Sequence, residues 1–294
     1  MTELTQFLIT GLAVGMVYAL IALGFALIWK STGVANLALG QLVLLCSWFT
    51  YSMMVQASLP IWLALPAVII FAVALGWVIE RFALRPLIGQ PILSLIAVTL
   101  GLAYFFSGLV SFIWPQSIGA LPKIFPSSAV HIGGAVISQE YVWAAVISLL
   151  IFVALSLFYK YHRMGIAMRA TADDQMAVQA CGIPVTKIFS MSWMFACVVA
   201  AAGGILISSI GGISNGLVET GLKTFSVVIL GGLDSFGGAM IAGPIIGLAK
   251  SLSTGYLTPY IWSEFGDVLP YIIIIFVILV KPFGLFGEKR IERI

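Results

Sequence analysis

Uninterrupted apolar runs dominate the chain, and charge occurs in brief punctuation between them. Residues 31–79 carry no charged side chain, and neither do 86–122 or 188–218. A helix that crosses a bilayer needs roughly 20 apolar residues. The runs predict helices near 6–29, 35–56, 61–79, 90–114, 141–159 and 188–211. Shorter runs predict a pair at 222–234 and 237–257, and a last helix at 267–281. The predicted fold is all-α: a polytopic transmembrane bundle of about 8–9 segments, forming a single transmembrane domain over 1–294.

Between the runs lie two other segments. Residues 115–139 form a loop with Pro115, Pro122 and Pro126, in which Val130–Ile137 predicts a small hairpin around Gly133-Gly134. Residues 160–187 form the longest polar connector.

Composition agrees with lipid as the solvent. Of 294 residues, 61% are hydrophobic and 9% charged, against the usual quarter in soluble domains. So little polar surface cannot cover a water-exposed globule. A net charge of +3 implies no polyanionic partner, and no nucleic-acid binding is expected. Cys46, Cys181 and Cys197 offer neither a disulfide framework nor metal-ligand spacing. The first apolar run is as long as a span and lacks a basic leader, so it predicts a membrane helix and not a cleaved signal.

Charge placement predicts the orientation. An outside N-terminus places Lys30, Arg81, Arg85, Lys160, Arg163, Arg169, Lys187, Lys281, Lys289, Arg290 and Arg293 inside, leaving Lys123 and Lys223 outside and Lys250 in an apolar run. That bias predicts an inside C-terminus as well. Residues 222–257 must then start and finish outside. They form two full spans or a re-entrant, broken pair. About a dozen residues in the first arm reach only ~18 Å, short of the ~30 Å core, which favours the broken form.

Candidate chemistry is sparse. The chain has no phosphate-cradling loop, and His131 and His162 lack ligand spacing; no cofactor and no metal are expected in this chain. Gly212-Ile213-Ser214-Asn215-Gly216 matches a hydrolase elbow in letters, but an elbow needs a strand-to-helix turn with a base beside it. A Gly-rich turn at a helix end is the plainer account, and an intramembrane serine hydrolase is the competing one. In the polar connector, Thr171 or Asp173 can cap a short helix, Ala177, Val178 and Cys181 give it an apolar edge, and Gly182 with Pro184 ends it. Such an element suits docking into a partner's groove, or is an ordinary connector. Gly11-x-x-x-Gly15 and Gly243-x-x-x-Gly247 offer faces for close helix packing, within the chain or between subunits.

The order of several motifs carries a resemblance. Gly165 to Ile183 reads G-x-A-x-R-A-x-A-x-D followed by A-x-x-x-x-G-I, and resembles the cytoplasmic coupling loop of ABC-importer permeases, in particular the branched-chain amino-acid permease family. Gly15 to Gly24 resembles that family's first span. Glu80-Arg81 with Leu84-Arg85-Pro86-Leu87 follows the third span as in the family. Asn36-Leu37-Ala38-Leu39-Gly40 stands where the family has Asn-Phe-Ala-His-Gly, and Gly231-Gly232-Leu233-Asp234-Ser235 resembles its Gly-Gly-x-Gly-Ser. The resemblance spans nearly the whole chain. It implies an inner-membrane permease subunit that pairs with a second, related permease. Two cytoplasmic ATPases, which use ATP-Mg, dock on the coupling loops, and a periplasmic binding protein delivers solute. Arg169, Ala170, Asp173, Asp174 and Gly182 would then serve ATPase coupling. Asn36, Gly40, Gln41, Gly231, Gly232, Asp234 and Ser235 would line the translocation path. Leu39 for His and Asp234 for Gly depart from the family pattern, so the cargo is branched-chain amino acids or a related small organic solute. Asp234 or Ser235 caps the helix starting near Gly238, or Asp234 selects a solute bearing a donor. A secondary transporter is the alternative mechanism; the spans hold few ionisable groups for ion coupling.

Overall fold

A computed structural model describes residues 2–116, 118–126, 128–132, 135–258, 260–262 and 264–287. The Gly133-Gly134 turn and the basic tail with Lys289, Arg290 and Arg293 lie outside the described residues. The chain runs α1 (Thr2–Thr32), α2 (Leu39–Tyr51, continued as a π turn over Ser52–Gln56), α3 (Ile61–Val78) and α4 (Ile92–Ile113). Helix α3 continues as π-wound Ile79–Leu84 and a short 3-10 turn Arg85–Leu87. Then come β1 (Ile118–Gly119), β2 (Ala129–Ile132), β3 (Ala135–Ser138), α5 (Gln139–Tyr161), α6 (Arg163–Asp173), α7 (Gln175–Ala180) and α8 (Val185–Gly211). The chain closes with β4 (Ile213–Ser214), α9 (Leu217–Gly231), α10 (Phe236–Tyr256) and α11 (Phe265–Val280).

Among the described residues, six helices are long and apolar enough to cross a membrane, and Phe265–Val280 is a shorter apolar helix. The fold is a polytopic helical membrane bundle. Among the described residues, the strands form two-stranded pieces, β1 with β4 and β2 with β3. The predicted hairpin is β2–β3, with Val130 opposite Ile137. Helix α9 begins at Leu217, not near 222: Glu219 and Lys223 interrupt the apolar run without interrupting the helix.

The chain divides into two compact units. The first comprises Met1–Ala26, Phe125–Phe152 and Lys223–Ile294. There the two small-residue stripes pack on each other, so their partner is within the chain. A Cβ on Gly15 would stand 2.7 Å from the Gly243 carbonyl oxygen and 2.7 Å from Pro244 Cα. One on Gly11 would stand 2.7 Å from Ser251 Cβ. Only glycine lets α1 and α10 approach so closely. Ser251 Oγ adds a hydrogen bond to the Phe7 carbonyl at 2.7 Å. Helix α10 returns along α11, and Asp267 in the first turn of α11 accepts from Lys223 Nζ at 2.7 Å and Lys250 Nζ at 3.0 Å. Lys250, expected inside an apolar run, is thereby paired.

The second unit comprises Leu27–Ile124 and Val153–Leu222. Helix α8 is its centre and packs against α2 and α3. Close approach again needs glycine. A Cβ on Gly76 would stand 2.6 Å from the Trp193 carbonyl, and one on Gly204 2.8 Å from that of Val43. Trp48, buried, stacks on Trp114 at 6.0 Å, and Trp114 Nε1 donates to Ser52 Oγ at 2.8 Å. The outward faces of α3 and α4 carry exposed Trp62, Ile70, Phe105 and Phe112, as lipid-facing surfaces do.

Candidate functional site

Three groups of residues carry the predicted chemistry: the breaks at 33–38 and 232–235, and the connector 160–187.

The first break separates α1 from α2. Gly33 takes φ +69, which ends α1 in a left-handed turn. Buried Asn36 accepts from the Ala38 N–H through Oδ1 at 3.1 Å, which turns the chain into α2; its Nδ2 is buried without a hydrogen-bond partner among the described residues. Thr99 Oγ1 of α4 donates to the Ala35 carbonyl at 3.1 Å and fixes the break from the side. Gly40 meets the first turns of α9, where a Cβ would collide with the Val218 carbonyl. Gln41 is half-buried beside it. Asn36 and Gly40 therefore fall together on one broken segment.

The second break separates α9 from α10. The chain leaving α11 caps the end of α9: Leu285 N–H donates to the Leu230 carbonyl at 2.8 Å and Phe286 N–H to that of Gly231 at 3.1 Å. Gly232, at φ +102, lies against the backbone of Phe286 and Gly287. The break is thus level with the segment that follows α11, not with the middle of that helix. Gly231 is pressed against Gly238 across the break. Ser235 is the N-cap of α10, its Oγ accepting from the Gly238 N–H at 3.0 Å. Asp234 is half-buried and is not that cap. Of the two residues able to cap, the structure uses the serine.

The connector departs most from expectation. It forms two helices, not one. The first, α6, is capped by His162, whose Nδ1 accepts from the Met164 N–H at 3.2 Å. Thr171 is buried inside α6 and bonds the Ala167 carbonyl at 2.8 Å, so it caps nothing. The cap of α7 is Asp174 in place of the expected Thr171 or Asp173. Its Oδ1 accepts from the N–H groups of Met176 at 2.8 Å and Ala177 at 3.0 Å. Extended backbone at Asp174, φ −152, breaks the helix one residue later than the sequence suggests. The expected apolar edge reduces to Val178, which is buried; Ala177 and Cys181 are exposed. Gly182 at φ +79 ends α7 as expected, with Ile183 N–H reaching the Val178 carbonyl at 3.2 Å. Arg169 faces back to α5. Its guanidinium donates to the Tyr159 carbonyl and to that of Lys160 (3.0 Å), and lies 5.5 Å from the Tyr159 ring centre. It closes the C-terminus of α5, where a cation is favoured. Ala170 is half-buried, while Asp173, Asp174, Met176 and Gly182 are exposed.

Ser214 of the hydrolase-like motif lies in β4, paired with Ile118 of β1, and His162 in the same unit is engaged as a helix cap. A further cluster forms at the end of α3. Glu80, 1% exposed, receives Arg85 Nε at 3.1 Å and Nη2 at 3.0 Å, and Ser190 Oγ of α8 donates to the same carboxylate. The Glu80-Arg81 and Leu84-Arg85 signal was visible, but its partner 110 residues away was not.

Comparison with known proteins agrees with this architecture. The family described as branched-chain amino acid transport system / permease component matches residues 7–278. The permease protein LivH of a high-affinity branched-chain amino acid transport system is 31% identical in Salmonella typhimurium, covering 98% of this chain and 97% of that protein. LivH of Escherichia coli K12 is likewise 31% identical over the same shares. The corresponding BraD of Pseudomonas aeruginosa is 29% identical over 98% and 97%. PsaBC from Streptococcus pneumoniae, solved in complex with Fab, shares the fold at a TM-score of 0.51 and 14% identity, over 94% of this chain and 91% of that one. By sequence over almost its full length, the chain belongs to the branched-chain amino-acid transport permease family.

Proposed function

We propose that this chain is the membrane-spanning permease subunit of an ATP-driven importer. In this account it forms the path for branched-chain amino acids or a related small organic solute across a bacterial inner membrane. It pairs with a second permease, two ATPases dock on its 160–187 segments, and a periplasmic binding protein presents solute. The N-terminus lies outside and the C-terminus inside. Hydrolysis of ATP-Mg belongs to the ATPases, and this chain converts docking into movement of its helices.

The observation that best supports this is α7 itself. Six residues are too few to be stable alone, yet α7 has a two-bond cap at Asp174 and a left-handed stop at Gly182. One side chain, Val178, anchors it, and Met176 projects 83% exposed. A short helix held so firmly with an apolar residue in solvent suits insertion into a partner's groove.

Changing Asp173 and Asp174 together to Lys, or Gly182→Val, tests the assignment. Loss of the Asp174 cap costs about 0.5–2 kcal/mol locally, and a β-branched residue at φ +79 is strained. Both variants insert normally and lose ATPase retention or uptake. Normal uptake with normal ATPase retention contradicts the docking role.

A further inference from the structure

The Glu80–Arg85–Ser190 cluster is left unexplained by packing. The Glu80 carboxylate is buried while the Arg85 side chain is 27% exposed, so desolvation of the one and solvent screening of the other offset the attraction of the pair. Such a pair is therefore weak as a source of stability, and its position offers another role. Glu80 sits where α3 changes to π winding over Ile79–Leu84. Such winding is rare and is frequent at functional sites. Arg85 opens the 3-10 turn that follows. Ser190 sits in the second turn of α8, which starts at Val185, three residues beyond the Gly182 stop of α7. Arg85 Nη2 also donates to Ser190 Oγ at 3.1 Å, so the three side chains close on one another.

Beside the cluster is a cavity of about 70 Å³. Glu80, Arg85, Phe189 and Trp193 line one part of it, and Gln175, the first residue of α7, lines another. The space leaves α7 and the end of α3 room to shift, while Ser190 of α8, bonded to both Glu80 and Arg85, ties the end of α3 to α8. Both α6 and α7 pack on α8.

We propose that Glu80, Arg85 and Ser190 are the transmission joint of the permease: positioning residues that pass displacement of α7 to the α3 and α8 spans. This rests on α7 being the ATPase-docking helix. A push on α7 reaches α8 through Pro184 and passes from Ser190 of α8 to the Glu80–Arg85 pair at the end of α3. Without the pair, α7 still docks, but α3 no longer follows α8.

The test uses the complete transporter with its ATPases and binding protein, reconstituted in vesicles. Glu80→Gln, Arg85→Gln and the double variant are measured for complex recovery, melting temperature, ATP hydrolysis and solute imported per ATP. The expected result is a recovered complex that hydrolyses ATP, with solute per ATP lower by about 5- to 150-fold, the range of typical coupling between sites. The double variant is no worse than the single ones, because both remove one joint. An unchanged ratio of solute to ATP, with only the melting temperature lowered, makes the cluster a structural brace and overturns the proposal. If Glu80→Gln does not assemble, Ser190→Ala decides, since it removes only the link from α8 to the pair: a lower ratio supports the joint and a normal one overturns it. Wild-type protein that imports without ATP would instead sink the importer reading, which separates the two failures.

Discussion

Glycine substitution should have opposite signs at two kinds of site, and Gly15 is the sharpest case. An alanine there adds a Cβ at 2.7 Å from both the Gly243 carbonyl oxygen and Pro244 Cα. Carbon contacts are optimal at about 3.5–4.0 Å, so α1 and α10 must separate locally by about 1 Å. Neither neighbour can yield alone, because both are backbone atoms of a helix. Overpacking of this kind costs about 1–3 kcal/mol. Gly108 on α4 provides the control, since nothing lies within 4 Å of its added Cβ. There alanine removes the helix penalty of glycine, a gain of up to ~1 kcal/mol. Thermal unfolding of purified protein in one detergent gives both values. Gly15→Ala lowers the melting temperature, Gly108→Ala holds or raises it, and adding Gly243→Ala to Gly15→Ala is less than additive because both crowd one crossing. Equal responses at Gly15 and Gly108 would refute the α1–α10 packing.

Asp234→Asn keeps the cap of α10, which Ser235 supplies; if Asp234 lines the path, transport rate or solute preference changes, and unaltered transport of every accepted solute removes it from the path. Ser235→Ala, by contrast, loses about 0.5–2 kcal/mol of stability, which a melting curve detects. Single cysteines at Glu3 and Lys123 react with an impermeant reagent on intact cells if the N-terminus is outside, and protection of both would reverse the orientation.

The spans were legible because their signal is local. Each apolar run became a helix, with boundaries displaced by the residues that hydropathy misjudges, such as Glu219 and Lys223 inside α9. The stop at Gly182 was legible for the same reason, since a left-handed turn is written in one residue. The cap of α7 was not, because Thr171, Asp173 and Asp174 are all able caps and only the backbone at Asp174 selects among them. That Arg169 closes α5 was not legible, because this use is set by the tight α5–α6 turn. The two glycine stripes were visible singly, but their mutual contact is a pairing across more than two hundred residues of chain. The Glu80 cluster was hidden likewise: its ion pair is local, and the Ser190 that ties it to α8 is distant.

The energy source of transport is the central claim and is directly measurable. Proteoliposomes holding this permease, its partner permease and the ATPases, supplied with the binding protein and branched-chain amino acids, are assayed for uptake with and without ATP and with ion gradients collapsed. The account predicts accumulation that requires ATP hydrolysis and persists without an ion gradient. Uptake that survives loss of the ATPases and stops when the gradient is collapsed would contradict it.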